Sequence, residues 1–223
     1  IGPGEGALTD EIIKRGPKSI HCIEKDNSLH KKLKIKNLKK KNFKNINADI
    51  LKFDLEKLNI KNSIIFGNLP YNISSQILVK IISYKKWPPN FSDVIFMFQK
   101  ELGEKILGKF QSKNYGRLSI LTNYRLLFIN KFVVSPNCFF PKPKVNSIVI
   151  HFKPKLKNSF YIKNIKSLEN VTNILFSNKR KIIKKNIKKI LGMKEIEQIK
   201  HIDLKFRPSQ IKPDDYYKIT ELF

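Results

Sequence analysis

At 223 residues the chain is long enough to bury a real core, as one large domain or one domain with an appendage, and its 41% apolar fraction is ordinary for a globular protein. Its charge is not: 45 Lys+Arg against 18 Asp+Glu give a net charge of +27 and a pI near 10.0, the footprint of a protein that meets a polyanion, nucleic acid first of all. Only Cys22 and Cys138 occur, neither has a His at metal-ligand spacing, and no uncharged apolar run reaches membrane-spanning length; a disulfide framework, a metal centre and a membrane span are set aside, and a reducing cytoplasm fits.

The start, Gly2-Pro3-Gly4-Glu5-Gly6-Ala7-Leu8-Thr9, is a glycine-rich turn, and Leu8 to Lys14 reads as a helix whose first turn lies at the glycines. Glycines let a backbone approach a ligand closely, and a helix N-terminus favours negative charge. Taken alone, this stretch leaves an NAD site open, with Ala7 in the last place of the dinucleotide fingerprint.

Ser19 to Ile23 is a short strand ended by Glu24, which stands near the interval after Gly2 at which an acid grips a ribose hydroxyl pair; the alternative is a cap for a helix starting near Asn27. Lys31 to Lys44 reads as a solvated basic helix face and loop. Asn45 to Leu51 is a third strand end carrying Asp49, whose carboxylate can accept from an adenine amino group or serve as a plain turn residue.

Ser63 to Phe66 is an apolar run followed by Gly67-Asn68-Leu69-Pro70-Tyr71 and then a helix-period segment from Ile73 to Ile82. The motif therefore sits at the carboxyl end of a strand, where open α/β sheets place their chemistry. Asn68 offers a side-chain carbonyl, Pro70 stiffens the turn so that main-chain carbonyls project, and Tyr71 offers a ring face; together they suit a flat ring with an exocyclic amine.

Asp93 to Phe98 is continuously apolar and reads as a central strand, and Gln99-Lys100-Glu101 opens a helix to about Leu107. Arg117 to Leu127 is apolar at helical spacing, and Phe132 to Val134 and Val145 to Phe152 read as a closing β pair around Cys138-Phe139-Phe140-Pro141-Lys142-Pro143-Lys144. These elements predict an α/β, mostly parallel sheet with an antiparallel edge. From about Lys155 only short helices remain. The clearest, Val171 to Leu191, places Val171, Leu175, Ile182, Ile183, Ile187, Ile190 and Leu191 on one stripe, with Gly192 ending it. Lys179, Arg180, Lys181, Lys184, Lys185, Lys188 and Lys189 take the opposite face, which is either solvated or set against a nucleic-acid backbone.

In order, Ile-Gly-Pro-Gly-Glu-Gly-Ala-Leu-Thr at the start, Glu24, Asn-Ala-Asp-Ile at 47 to 50, and Gly-Asn-Leu-Pro-Tyr-Asn-Ile-Ser-Ser at 67 to 75 resemble the rRNA adenine dimethyltransferases. Phe-Gln-Lys-Glu at 98 to 101, Phe-Phe-Pro-Lys-Pro-Lys-Val at 139 to 145 and Arg-Pro-Ser-Gln-Ile at 207 to 211 extend the resemblance over nearly the whole chain, and the later pieces look more like the KsgA-type enzymes of the small subunit than the Erm-type resistance enzymes.

The resemblance implies a Rossmann-like, S-adenosylmethionine-dependent catalytic domain over residues 1–154 and a small all-helical RNA-binding domain over 155–223. It implies that Gly2, Gly4 and Gly6 line the methionine part of the cofactor, with Glu24 at the ribose, Asp49 at the adenine, and Asn68 beside them. Asn68, Leu69, Pro70 and Tyr71 would hold the target base, with Phe140 stacking on its far face and Lys179, Arg180, Lys181, Lys184, Lys185 and Lys188 meeting RNA.

The implied partner is ribosomal RNA in an immature small subunit, the implied state a cytoplasmic monomer. The family's first strand and a Gly-Gln-x-Phe-Leu-like segment do not stand before Ile1, so an N-terminally truncated member lacking its first strand is expected. Alternatives are an Erm-type enzyme of large-subunit rRNA, a DNA adenine methyltransferase, or a ribosome-assembly factor whose function is binding.

Overall fold

Strands and helices alternate through the first hundred residues, as the spacing of apolar residues predicts, in a computed structural model that describes all of residues 1–223. The glycine turn leads into α1 (Ala7–Lys14), followed by β1 (Ile20–Glu24), α2 (Asn27–Lys36), β2 (Phe43–Asn47), β3 (Ser63–Asn68), α3 (Ser74–Ile82), β4 (Phe91–Gln99) and α4 (Lys100–Ile106). Then come α5 (Arg117–Arg125), β5 (Leu126–Val134), β6 (Ser147–Pro154), α6 (Ile165–Phe176), α7 (Lys184–Ile187), α8 (Met193–Glu197) and α9 (Pro213–Leu222).

β1 and β2 pair in parallel from Ile20↔Phe43 to Glu24↔Asn47, and β3 and β4 pair in parallel, ending at Asn68↔Met97. The second pair belongs to a four-stranded sheet of order β3-β4-β6-β5. Its β6 runs against β4. His151, four residues into β6, meets Asp93 near the start of β4 at 2.6 Å, whereas Ser147 at the head of β6 meets Tyr71, just beyond the carboxyl end of β3. The fold is thus the mostly parallel, Rossmann-like α/β sheet with an antiparallel member. Between the two sheets lie Ile1 and Gly2: the Ile1 nitrogen donates to the Phe66 carbonyl at 2.7 Å and the Gly2 N–H to the Ile23 carbonyl at 3.0 Å. The carboxyl ends of β1 and β3 are thereby brought to one place.

Two compact units emerge, one formed by residues 1–80, 90–99 and 131–151, the other by 81–89, 100–130 and 152–223. In the first, Val94, Phe96 and Phe98 of β4, Ile77 and Leu78 of α3, and Ile148 and Ile150 of β6 are buried. Each such side chain stabilises by about 1.5–3 kcal/mol relative to exposure, and the continuous apolar run of β4 is what a strand covered on both faces requires. The second unit draws in α4 and α5 as well as the tail anticipated from residue 155, because α5 packs on α6 and α9. Buried phenols cross-link it: the hydroxyls of Tyr115, Tyr216 and Tyr217 donate to the carbonyls of Ile211, Pro208 and Ile120. Burial pushes all three phenols above their ordinary pKa and keeps them neutral donors.

Two expected elements differ. The first strand of the closing pair begins at Leu126 rather than Phe132, since α5 stops at Arg125, whose buried guanidinium donates to the carbonyls of Ile82 and Tyr84 and lies 4.5 Å over the Trp87 ring. Nor is Val171 to Leu191 one helix. The α6 helix ends at Phe176, where Asn186 Nδ2 donates to the Ile174 carbonyl at 2.9 Å, and the N–H groups of Ile183 and Lys184 turn to the carbonyls of Phe206 and Leu204. The apolar stripe is still buried at Val171, Leu175, Ile183, Ile187 and Leu191, whereas Ile182 falls in the turn and is exposed.

Candidate active site

The strand-end motif is held by its neighbours while its chemistry stays open. Asn68, the last residue of β3, has an exposed side chain, whereas Leu69 is buried and acts as the anchor of the turn. Gly67 is required for that anchor: a Cβ there would lie 2.5 Å from Leu69 Cδ2 and 3.1 Å from Phe96 Cδ1. The Pro70 carbonyl accepts from the Ile73 N–H at 3.1 Å as α3 begins, which uses one of its two lone pairs and leaves the other. Tyr71 is fixed at both ends, its carbonyl accepting from the Ser74 hydroxyl at 3.1 Å and its phenol sharing a 2.6 Å hydrogen bond with Ser147.

At the end of β1, Glu24 is 7% exposed and organises the glycine turn: Oε2 accepts from the Gly4 N–H at 3.1 Å and Oε1 from the Asp26 N–H at 2.9 Å. The cap of α2 is Asp26, whose Oδ1 accepts from the Leu29 N–H, so Glu24 is released from that duty. Gly2, Gly4 and Gly6 all take positive φ (60°, 58° and 93°), a region that favours glycine. A Cβ on Gly2 or Gly4 would meet nothing within 4 Å, so the turn borders open space.

Asp49 follows β2, and the Ala48 N–H donates to the Glu24 carbonyl at 3.0 Å, tying the two strand ends together. Its Oδ1 accepts from the Leu51 N–H, as a turn residue does, and its Oδ2 lies 3.0 Å from Lys25 Nζ. That lysine, followed by the Leu51 N–H, holds the carboxyl below the usual carboxylate range, so the acceptor stays charged at neutral pH. An open glycine turn, a buried carboxylate with lone pairs to spare and a second, charged carboxylate fit a nucleoside bearing a charged tail. Phe140 lies in the 135–146 loop that leads to Ser147, and its ring is fully exposed; the structure leaves it unstacked.

The profile of the ribosomal RNA adenine dimethylase family matches residues 1–223, the whole chain. The chain belongs to that family. Among its relatives, the ribosomal RNA small subunit methyltransferase A of Pelagibacter ubique is 40% identical over 99% of this chain and 84% of its own length, and that of Colwellia psychrerythraea is 33% identical over 99% and 72%. In fold it is similar to a dimethyladenosine transferase from Plasmodium falciparum (TM-score 0.76, 24% identity, 98% of this chain and 86% of that one) and to the 23S rRNA methyltransferase ErmE (TM-score 0.67, 22% identity, 99% and 87%).

As a member of the ribosomal RNA adenine dimethylase family, the protein is an S-adenosylmethionine-dependent rRNA adenine dimethyltransferase. Two parts of this dimethylase bear on RNA and on architecture. In the turn after α6 and through α7, Lys179, Arg180, Lys181, Lys184, Lys185, Lys188 and Lys189 are all exposed and none pairs with an acid. Arg207-Pro208-Ser209-Gln210-Ile211 is a structural clasp: the Gln210 side chain accepts from the Arg207 N–H, and the carbonyls of Pro208 and Ile211 receive the buried Tyr216 and Tyr115 hydroxyls. Sequence reasoning did not find Ser147 or Lys25, because nothing in a single chain pairs position 71 with 147 or position 49 with 25.

Proposed function

We propose that this dimethyltransferase acts as a cytoplasmic monomer on adenines of small-subunit rRNA during ribosome maturation, with Asn68-Leu69-Pro70-Tyr71 as its base-holding turn. The observation that carries the site assignment is the contrast within that turn: Leu69 buried, Tyr71 fixed at both ends, and the Asn68 side chain exposed at the strand's carboxyl end. Relatives named small subunit methyltransferases, at 40% and 33% identity over nearly the whole chain, support the substrate. No helix is long and apolar enough to cross a membrane.

The chemistry asks for little beyond placement. An adenine amino nitrogen is a poor nucleophile because its lone pair is delocalised into the ring. The Asn68 carbonyl and the free lone pair of the Pro70 carbonyl accept its two N–H bonds, which turns the nitrogen towards tetrahedral geometry and frees the lone pair. Bound S-adenosylmethionine supplies a sulfonium methyl that is already electrophilic. Glu24 would take the ribose hydroxyls, Asp49 the adenine amine of that cofactor, and the open faces of Gly2 and Gly4 its charged tail, while Gly6, packed against Leu33, shapes the turn from behind. Well-oriented juxtaposition is worth roughly 7–11 kcal/mol; the nitrogen becomes positively charged as it gains the methyl and then releases its N–H proton readily to water, so no strong general base is required.

The two walls for the flipped base are the Tyr71 ring and the exposed Phe140 ring, each stack being worth about 1–3 kcal/mol against the cost of unstacking. The exposed cations from Lys179 to Lys188 take the RNA backbone. Offering the protein immature small subunits, mature small subunits and large subunits with labelled cofactor tests the substrate. Label on adenine of the immature small subunit, doubled in mass spectra as dimethyladenosine, is the expected result; label confined to large-subunit RNA would overturn it.

A further inference from the structure

Tyr71 and Ser147 are 76 residues apart, yet their hydroxyls stand 2.6 Å from each other, and Ser147 is completely buried. A buried hydroxyl costs free energy unless it is hydrogen-bonded, so a serine kept at such a place is tied to its partner. Ser147 is also the first residue of β6, immediately after the 135–146 loop that carries Phe140. Its flank is rigid: Ile148 and Ile150 are buried, and His151 is bound to Asp93 of β4 at 2.6 Å. On the other side, the Tyr71 carbonyl is bound by Ser74 at the start of α3.

We infer that Ser147 is a positioning residue for methyl transfer: its hydroxyl pins the Tyr71 phenol, sets the long axis of that ring, and couples the turn that presents Asn68 to the loop that presents Phe140. This rests on the reading of Tyr71 as one wall of the base pocket. A tyrosine attached at its backbone and held at its hydroxyl has its first side-chain torsion fixed, so the ring is in place before the base arrives rather than being ordered by it. Such preorganisation acts on turnover, because a misplacement of about 1 Å in a reacting pair can cost on the order of a hundredfold in rate. Uniform binding, by contrast, would appear in KM.

The test compares Ser147→Ala, Tyr71→Phe, the double variant and Tyr71→Ala on the full chain with small-subunit rRNA. It measures kcat and KM for RNA, cofactor affinity by calorimetry, and the unfolding midpoint. Ser147→Ala is expected to lower kcat about five- to twentyfold while KM and cofactor affinity stay within about twofold. Tyr71→Phe, which removes the same hydrogen bond from the other side, should match it, and the double variant should be no worse than either.

A kcat within twofold of the parent in both single variants, or losses that multiply in the double variant, would overturn the inference. Should Ser147→Ala lower the unfolding midpoint so far that it cannot be assayed, Tyr71→Phe alone decides by the same criterion. Tyr71→Ala separates the two layers. If it keeps full turnover, the wall assignment itself is lost. If it loses turnover by about a hundredfold while Ser147→Ala and Tyr71→Phe both stay within twofold of the parent, only the role of Ser147 falls.

Discussion

A methyl group added at Gly67 tests how tightly the proposed base-holding turn is built. The Cβ of Gly67→Ala would arrive 2.5 Å from the buried Leu69 side chain, and overpacking of that kind costs about 1–3 kcal/mol. Leu69 is flanked by Asn68 and Pro70, so relief of the clash moves the two carbonyls proposed to receive the amine. The expected outcome is a lower urea midpoint together with a loss of methyl transfer of tenfold or more, read on the same preparation. A second test concerns Glu24. Its carboxylate receives the Gly4 and Asp26 N–H groups, so Glu24→Gln, with an amide in place of one acceptor oxygen, should weaken cofactor binding by about 1–3 kcal/mol, as loss of a bond to a charged group does; calorimetry checks it.

These residues were legible to different depths. Asn68 and Glu24 could be placed at strand ends because the apolar residues of β3 and β1 are visible in the sequence; Asp49 lies two residues beyond the end of β2, in the turn that the same stretch allowed for it. The pairings around them were not: Ser147 meets Tyr71 and Lys25 meets Asp49 across chain separations that periodicity does not encode.

At the scale of elements, the α6–α7 connection shows where pattern reading stops. A stripe at helical spacing from Val171 to Leu191 suggests one long helix, and most of that stripe is indeed buried. What breaks it is specific hydrogen bonding: Asn186 caps the end of α6, and the 183–184 backbone turns to residues 204 and 206. No helix propensity reports such long-range acceptors, so the apolar positions were readable and the break was not. The start of β5 was hidden as well: α5 ends at Arg125, whose buried guanidinium donates to the distant Ile82 and Tyr84 carbonyls, and the apolar run beginning at Leu126 continues as strand. Asn186→Ala leaves the Ile174 carbonyl without that donor and should destabilise the helical unit by about 1–3 kcal/mol. Chemical denaturation monitored at the single tryptophan, Trp87 in the same unit, measures it.

For the whole molecule, the +27 net charge and the catalytic turn report different things. On the proposed reading, the charge governs how RNA is held and the turn governs what is done to one base. Replacing Lys179, Arg180, Lys181, Lys184, Lys185 and Lys188 with Gln should reduce the slope of log affinity against log salt by about 0.7–0.9 for each phosphate that is no longer neutralised. An unchanged slope in a salt titration would assign those cations to solvent. The central claim, that the exposed Asn68 carbonyl receives the adenine amine, is tested most directly by Asn68→Ala. Because that side chain is exposed and supports no packing, the fold and cofactor affinity are expected to stay within a few-fold. Single-turnover methyl transfer to small-subunit rRNA should fall by about a hundredfold or more, the scale at which removing one preorganised hydrogen-bonding group acts on a transition state. Turnover near that of the parent in this variant would contradict the account.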